Sequence, residues 1–374
     1  MMLMKKLFLL SLFVGFSLSI YGQETIPLKD ALSLRECKVS EYASSIEYIP
    51  LETTEDCLIG DDFSLIVASQ DIFVHDFSNQ KIYHFDRNGK YLNPIGKKGQ
   101  GPGEYICPYS IYVDEASREC FSLDTFSGNI YVYEYDGTFK RKIHVPVAPG
   151  RMMKMGDNYV IAQYLLDVST CEMVSVTPEG KLLKKYSRND GKKVGFAMFM
   201  PFFFTFNDVV YYKNHITEYI YSIDDKLKRK KAYWIDLGKK QIKSEEDQYD
   251  LKKGHMTKNK ITITTISTHK DLMFIPYAEK KCFFAVYNTT SKRIFSPGLD
   301  GKAGFIDDLT QGPLVTAPYS FFPITSLQKN QLVDYIKMSD LDVDDYSDGK
   351  FKQFLKKHKV DEFSNPIVRI VNLK

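Results

Sequence analysis

Two similar segments on either side of a glycine-rich connection constrain the fold of this chain more than any other feature. IFVHDFSNQKIYHFDRNGKYL occupies residues 72–92, and CFSLDTFSGNIYVYEYDGTFKRKI occupies residues 120–143. Each segment has the pattern of a strand, a turn that begins with Asp, a second strand, a turn with Gly and a third strand. Between them lies GKKGQGPGEY, residues 96–105. The repetition of a whole multi-stranded unit predicts a β-propeller.

The spacing of hairpin turns extends this repeat along the chain. Turn-forming residues stand at 86–89, 136–137, 178–180, 224–225 and 288–290. Counted from Gly89, the first three steps are 43 to 48 residues long and the last is 65 residues, which suits four-stranded blades with loops of variable length. The long last step includes a polar segment at residues 240–254, which we expect to be an inserted helix or loop. The 25 Tyr and 26 Phe residues also favour strands.

The two ends of the chain are predicted to share one blade. Residues 46–51 and 367–373 have strand-like sequences, and pairing them would remove a free sheet edge. Residues 326–338 and 351–358 have helical spacing and predict two short helices. The predicted fold is therefore all-β: a six-bladed β-propeller of four-stranded antiparallel blades with short helices near the C-terminus, formed by one domain over residues 23–374.

The N-terminus has the pattern of a secretory signal peptide. Two lysines precede a short apolar stretch, and Gly22 is a small residue suited to cleavage. We therefore expect residues 1–22 to be removed. The stretch is too short to span a bilayer comfortably, and the first cysteine is Cys37, so neither a membrane span nor a lipid anchor is predicted. The protein is expected in the periplasm or outside the cell.

Charge and cysteine content exclude two classes of function. The net charge is +3, and two of the positive charges lie in the signal peptide, so the remaining chain is almost neutral. It lacks the basic excess typical of nucleic-acid-binding proteins. The six cysteines have wide, irregular spacings without the pairs of a zinc site. Most are expected to be buried free thiols, although the compartment permits disulfides.

Residues 96–142 resemble the NHL-type repeat. In that repeat a Gly-rich connection, a Pro, an x-V-D strand, a strand ending in Asp and an IxxFDxxGK strand follow in order. The corresponding pieces here are GKKGQGPGEY, Pro108, IYVD, FSLD and IYVYEYDGTF. The chain from residue 23 onwards is similar to a secreted six-bladed β-propeller family of Gram-negative gut bacteria, through GQGPGEY, IEYIPLETT, MPFFFTFNDVVYY and NPIVRIVNLK. That resemblance implies the fold and export, and it implies no particular activity.

The glycine-rich connection is also the predicted place of ligand contact. It lacks the spacing of a phosphate-binding loop, and it leads into a strand instead of a helix. It is therefore expected to form a tight crossing between blades. The residues expected to shape that crossing are Gly99, Gly101, Pro102 and Gly103. Glu104 either bonds to the backbone of this loop or faces the central channel, and Glu104 and Tyr105 are the predicted ligand contacts.

Two aspartates occupy matching positions in successive units. Asp76 lies in VHDFSNQ and Asp124 in SLDTFSG, and both are expected to accept hydrogen bonds from the backbone of the following turn. His75 next to Asp76 does not predict a dyad, because adjacent strand residues point to opposite faces. The seven histidines are scattered and no nucleophile motif is present, so no catalytic residue is predicted.

Three functions are compatible with this sequence. The favoured one is a monomeric, non-enzymatic binding propeller without a cofactor, which holds a glycan, a peptide or an envelope protein through loops at the channel mouth. The second is a lactonase-like hydrolase, for which the resemblance to six-bladed lactonases would imply a calcium ion held by Glu, Asn and Asp in the channel. The third is a structural subunit of an envelope complex. Nucleic acid is not an expected partner.

Overall fold

Short strands with apolar residues on both faces build most of this protein. Every residue of Asp71–Asp76 and of Glu119–Asp124 is buried, as expected for strands covered by neighbouring sheets. The computed structural model describes residues 23–164, 171–187, 201–214, 217–241, 260–279, 281–316, 324–341 and 346–374. Within these ranges the chain is an all-β propeller of small, mostly antiparallel sheets, each packed against the next through apolar side chains.

The first three blades are four-stranded meanders in which each strand pairs with the next. The first consists of Phe63–Val67, Asp71–Asp76, Lys81–Asp86 and Tyr91–Pro94. The second consists of Pro108–Asp114, Glu119–Asp124, Asn129–Glu134 and Phe139–His144. The third consists of Pro149–Met155, Asn158–Gln163, Cys171–Val176 and Leu182–Ser187. The inner strand of the first blade also pairs in parallel with Ile324–Ser326.

The fourth and fifth blades are extended by the N-terminal residues. The fourth consists of Phe202–Phe206, Val209–Lys213, Tyr219–Ile223 and Arg229–Ile235. The fifth consists of a divided inner strand, Thr262–Ile263 and Ser267–His269, followed by Leu272–Ala278, Cys282–Asn288, Ile294–Leu299 and Lys302–Ala303. Glu24–Ile26 and Leu34–Arg35 pair in parallel with the outer strands of these two blades. The leader segment thereby covers two sheet edges that would otherwise be free.

A three-stranded sheet joins the two ends of the chain, and we call it the closing sheet. Its strands are Gln331–Ile336, Ile367–Leu373 and Ala43–Pro50. The predicted pairing of residues 46–51 with 367–373 is confirmed. The prediction of six four-stranded blades is wrong, because only five sheets among the described residues have four or more strands. The outer strand of this sheet is Ala43–Pro50, and residues 51–62 after it form no strand that could pair with it as a fourth. After Ile336 the chain forms the 3₁₀ helix Met338–Asp340 and the α-helix Lys350–His358 before the strand Ile367–Leu373.

The predicted helix at residues 326–338 is also wrong, because this segment is mostly strand. Leu332 packs against the fifth blade and its neighbour Val333 packs against the first. An inner strand with two apolar faces lacks polar alternation, so over a few residues its pattern resembles that of a buried helix. The second predicted helix, at residues 351–358, is confirmed. The remaining 3₁₀ helices are Leu28–Ala31, Val39–Glu41 and Gly238–Lys240.

In each of the first three blades, a glycine in the turn between the third and fourth strands lies against the preceding sheet. Gly89, Gly137 and Gly180 have φ angles of +86°, +86° and +88°, and the turns predicted at these positions are confirmed. A Cβ atom at these positions would lie 2.3, 2.5 and 2.6 Å from backbone carbonyl oxygens of the preceding sheet. Those oxygens belong to Pro50, Pro94 and His144. Only glycine permits both this conformation and this approach.

The six cysteines all lie within the described residues, and none of them forms a disulfide. Cys37, Cys57 and Cys120 are buried, whereas Cys282 is exposed. The expected free thiols are therefore confirmed, although only half of them are buried.

Two sequence predictions concern residues outside the described ranges: the signal peptide at residues 1–22 and most of the polar insertion at 240–254. Within the ranges given above, no helix has both the length and the apolar character needed to cross a membrane.

Candidate ligand-binding site

The innermost strands enclose a cavity of about 320 Å³ on the propeller axis. All five blades and the closing sheet contribute to its wall. The main wall segments are residues 111–113, 151–153, 202–205, 264–268 and 325–329. Sites for small molecules typically measure roughly 300–1,000 Å³, so the cavity is at the small end of that range.

The cavity reaches the surface near turns between the first and second strands of the blades. Lys329 lies in its wall and forms an ion pair with Asp208, and the two side chains are 77% and 83% exposed. Gln328 donates from Nε2 to Glu115 Oε2 of the second blade at 3.3 Å. The mouth is therefore polar, and hydrogen bonds between separate sheets hold it in shape.

The polar part of the wall consists mainly of hydroxyl and amide groups, and apolar side chains such as Ile66, Met152 and Phe204 complete it. The hydroxyls belong to Tyr112, Thr205, Thr264, Thr265, Ser267, Thr268, Thr325 and Ser326, and the amides to Gln328 and Gln331. The Oγ1 atom of Thr264 is buried without a hydrogen-bond partner in the described residues. Buried hydroxyls normally have a partner, so this one is an exception.

Arg151 is the charged residue of the deep wall. It belongs to the inner strand of the third blade, and its Nη1 donates to the carbonyl oxygen of Gly150 at 3.0 Å. No carboxylate in the described chain pairs with it. Burial lowers the pKa of Arg151 to about 10, so the guanidinium remains charged at neutral pH. Arginine is rarely buried without a partner, so this side chain has donors left for a ligand.

A group of aromatic residues adjoins Arg151. Tyr109 donates from its hydroxyl to the hydroxyl of Tyr164 at 3.0 Å, and the His75 and Phe77 rings lie 4.1 Å apart. His75 is fully buried, and neither of its ring nitrogens has a well-oriented partner. Burial and then the positive charge of Arg151 lower the pKa of His75 to about 3, so the imidazole is neutral at physiological pH. His75 therefore adds no charge beside Arg151.

The predicted ligand contacts in the glycine-rich connection lie elsewhere. Glu104 folds back into its own loop, where Oε2 accepts from the Gly101 N–H at 2.9 Å and Oε1 pairs with Lys97 at 2.8 Å. Lys97, and then the Gly101 N–H, lower the pKa of Glu104. A Cβ atom at Gly99 would lie 1.9 Å from Glu104 Oε2, so glycine makes room for this carboxylate. Tyr105 is 1% exposed and belongs to the core between blades. Neither Glu104 nor Tyr105 lines the cavity.

The rest of this connection forms a turn. The Glu104 N–H donates to the Gly101 carbonyl at 3.0 Å, with Pro102 and Gly103 as the two central residues. Gly103 has a φ of +75°, so the arrangement is that of a type II turn, which favours Pro and then Gly at these places. A Cβ atom at Gly103 would lie 2.5 Å from the ring of Phe139.

Asp76 and Asp124 both tie turns together. Asp76 Oδ2 accepts from the Gly60 N–H at 2.9 Å, and Asp124 Oδ2 accepts from the Ile106 N–H at 2.8 Å. The Oδ1 of each also accepts from the N–H three residues later, at 3.0 and 3.3 Å. Each aspartate thus fixes the connection into its own blade and the turn that follows it.

One buried acid–base pair was missed by the sequence reasoning. His84 Nε2 lies 2.7 Å from Asp71 Oδ1, both residues are buried, and the His84 ring stacks on Phe73 at 4.6 Å. Asp71 and His84 lie diagonally opposite each other on two adjacent strands, so the strand register alone could have suggested their contact. No described nucleophile contacts the pair, so the geometry gives it a structural role.

Metal ligation also bears on the site. The described ranges contain no group of three or more His, Cys, Asp or Glu residues placed to hold a metal ion. The calcium ion of the lactonase-like alternative stays a prediction.

Comparisons with known proteins support the fold. A family model described as "Domain of unknown function (DUF4934)" matches residues 23–372. A protein described as exported, from Bacteroides fragilis, has a crystal structure with a TM-score of 0.69 and 18% identity, covering 94% of this chain and 99% of that one. A protein of unknown function from Bacteroides thetaiotaomicron has a TM-score of 0.46 and 8% identity, covering 88% and 76%. No curated protein matches the sequence.

Proposed function

Because the chain belongs to the DUF4934 family, whose description names no activity, we propose from its geometry that this protein is an exported propeller that binds a small polar ligand in its axial cavity. The observation that carries the proposal is the cavity itself, which is walled by all six sheets and mixes hydroxyl, amide and apolar groups. This mixture is typical of sites that bind small molecules.

The fold supports a preformed site. Each of the first three blades places a glycine turn against the preceding sheet, and a hydrogen bond between sheets holds the mouth. A rigid wall lowers the entropy lost on binding. Of the predicted partners, a sugar or a short peptide fits a cavity of about 320 Å³, whereas an envelope protein would have to insert one side chain or a chain end.

Export is part of the proposal. The N-terminal sequence has a signal-peptide pattern, and the Bacteroides fragilis protein of similar fold is described as exported. Mass spectrometry of the protein from the periplasm or the medium is expected to give a chain that begins at Gln23. A chain that keeps residues 1–22 in the cytoplasm would contradict this part of the proposal.

Binding is tested by thermal shift with monosaccharides and dipeptides, followed by calorimetry on each compound that raises the melting temperature. Thr265→Trp fills the cavity, and Thr290→Trp places the same ring on an exposed turn of the same blade as a control. We expect Thr265→Trp to abolish binding and Thr290→Trp to preserve it. Equal binding by both variants, or no binding of any compound by the unaltered protein, would refute the proposal.

A further inference from the structure

We infer that the axial cavity selects ligands that carry a carboxylate, and that the guanidinium of Arg151 binds this carboxylate. The inference rests on the proposed function, because it names the class of ligand for the same cavity. Its starting point is the charge of the wall: Arg151 and Lys329 line the cavity, and no Asp or Glu is among the described residues that do so.

Other inward-facing arginines show that Arg151 is an exception within this protein. Arg369, Arg229 and Arg141 have side chains that are 2%, 14% and 35% exposed, and each pairs with a carboxylate within 3 Å. Those partners are Asp334, Glu172 and Glu119. Among the described residues, Arg151 bonds only to the carbonyl oxygen of Gly150, at 3.0 Å. The described chain therefore supplies a carboxylate for each of these three arginines and none for the one in the cavity wall.

The donors of Arg151 are mostly unused. A guanidinium carries five N–H groups in a planar fork, and one of them serves Gly150. Part of the Arg151 surface stays accessible because the side chain lines the cavity. A desolvated charge without a counter-ion is unfavourable, so a ligand that brings a negative charge gains more here than a neutral ligand of the same shape.

Charge balance favours a carboxylate over a phosphate. One deep positive charge offsets one negative charge, and a phosphate monoester carries nearly two near neutral pH. Lys329 lies at the exposed mouth and is already paired with Asp208, while the adjoining His75 is neutral. The fork geometry of arginine also matches the two oxygens of a carboxylate. Hydroxyls and amides elsewhere on the wall suit the neutral part of such a ligand.

The experiment compares ligands that differ only in the carboxylate. One pair is galacturonate and galactose, the other is a dipeptide and its C-terminal amide, and inorganic phosphate is a separate probe. Calorimetry on the exported protein is expected to show one acid binding about 10- to 100-fold more tightly than its neutral partner, as one or two charge-assisted hydrogen bonds allow. The pair that shows this preference tells whether the carboxylate comes from a sugar or from a peptide.

Variants assign the preference to Arg151. Arg151→Gln is expected to lose at least about tenfold in affinity for the acid and less than about twofold for its neutral partner, because only the acid uses the charge. Arg151→Lys keeps the positive charge without the planar fork, and its affinity for the acid is expected to lie between those of the unaltered protein and Arg151→Gln. Arg87→Gln is the matched control, because Arg87 pairs with Glu47 at 2.9 Å and does not line the cavity, and it is expected to change the affinity less than about twofold. Circular dichroism and thermal melts confirm that each variant is folded.

The outcomes separate this inference from the proposed function. Equal affinity for the acid and its neutral partner would overturn the inference and leave binding in the cavity intact. An acid preference that survives in both Arg151 variants would also overturn it. Tighter binding of inorganic phosphate than of either acid would overturn the choice of carboxylate. Binding that Thr265→Trp leaves unchanged would overturn the proposed function itself.

Discussion

Replacing Arg151 by methionine is predicted to stabilise the protein in the absence of a ligand. The substitution removes a buried charge that has no counter-ion among the described residues and keeps an unbranched chain of similar length. Substitutions of arginine by methionine usually remove a favourable ion pair, so a substitution of this kind is not normally expected to stabilise a protein. It follows from the inference that a ligand, and no described carboxylate of the chain, neutralises Arg151.

The magnitude can be worked out from the burial of this group. Burial lowers the pKa of Arg151 from 12.5 to about 10, and each pKa unit corresponds to about 1.4 kcal/mol, so the charge costs about 3 kcal/mol. At pH 7 the side chain is charged in both the folded and the unfolded chain, so the full cost applies. Water in the cavity screens the charge, and losing the bond to Gly150 costs about 1 kcal/mol, which leaves a net gain of about 1–2 kcal/mol.

Chemical denaturation at pH 7 measures this gain as a change in the free energy of unfolding. With an unfolding entropy of about 2.1 cal/mol/K per residue, it corresponds to a rise in Tm of about 1–3 °C. Arg141→Met is the matched control. Arg141 forms two bonds to Glu119, at 2.6 and 3.0 Å, so this variant is expected to lose about 1–2 kcal/mol.

The sign of the change in unfolding free energy shows whether the unpaired charge of Arg151 destabilises the protein. A loss of more than about 1 kcal/mol in Arg151→Met would mean that packing of the arginine stem outweighs its unpaired charge. The argument that the unpaired charge of Arg151 destabilises the protein would then be wrong, and so would its contrast with the arginines that pair with a carboxylate. Equal losses in Arg151→Met and Arg141→Met would refute it in the same way.

Three further predictions concern the scaffold. Gly137→Ala should lower the free energy of unfolding by about 2–5 kcal/mol, and Gly156→Ala by only about 1–2 kcal/mol. Both glycines have positive φ, but only a Cβ atom at Gly137 would contact a carbonyl oxygen, at 2.5 Å. Equal losses in the two variants would refute this prediction. His75 should lower the free energy of unfolding by about 2 kcal/mol at pH 5, because its pKa is 6.5 in the unfolded chain and about 3 in the folded protein, so the unfolded chain binds the extra proton. Chemical denaturation of His75→Phe should show a smaller loss of unfolding free energy between pH 7 and pH 5. Asp334→Asn should cost about 3–5 kcal/mol by leaving Arg369 buried without its partner, and adding Arg369→Met should recover part of that loss; a double variant no more stable than the single one would contradict this.

The repeating parts of this fold could be predicted from the sequence because one local constraint recurs in each unit. Positive φ and close approach to the preceding sheet both require glycine at positions 89, 137 and 180. Glycine therefore recurs in the sequence at a nearly regular spacing. The three-stranded closing sheet could not be predicted in the same way. Its inner strand has two apolar faces, a helix at Lys350–His358 lies between its inner and middle strands in the sequence, and residues 51–62 form no fourth strand.

The cavity wall could not be predicted for a different physical reason. Each sheet contributes one to five residues from its inner strand or the adjoining segment, and they become neighbours only when the propeller closes. Arg151 lies in RMMKM, a segment without any motif, and its significance is the absence of a carboxylate nearby, which depends on every surrounding blade. By contrast Glu104 stands out in the sequence and yet serves its own loop.

The contrast between Arg151 and Arg369 connects the stability of this fold with its proposed role. Arg369 is buried in the closing sheet, and Asp334 together with the carbonyl oxygens of Pro313 and Leu314 accepts from its donors. The chain can therefore neutralise an inward arginine completely where it joins its two ends. Arg151, which has no carboxylate partner among the described residues, is predicted to lower stability, and a cost of this kind is typical of binding sites that a ligand completes.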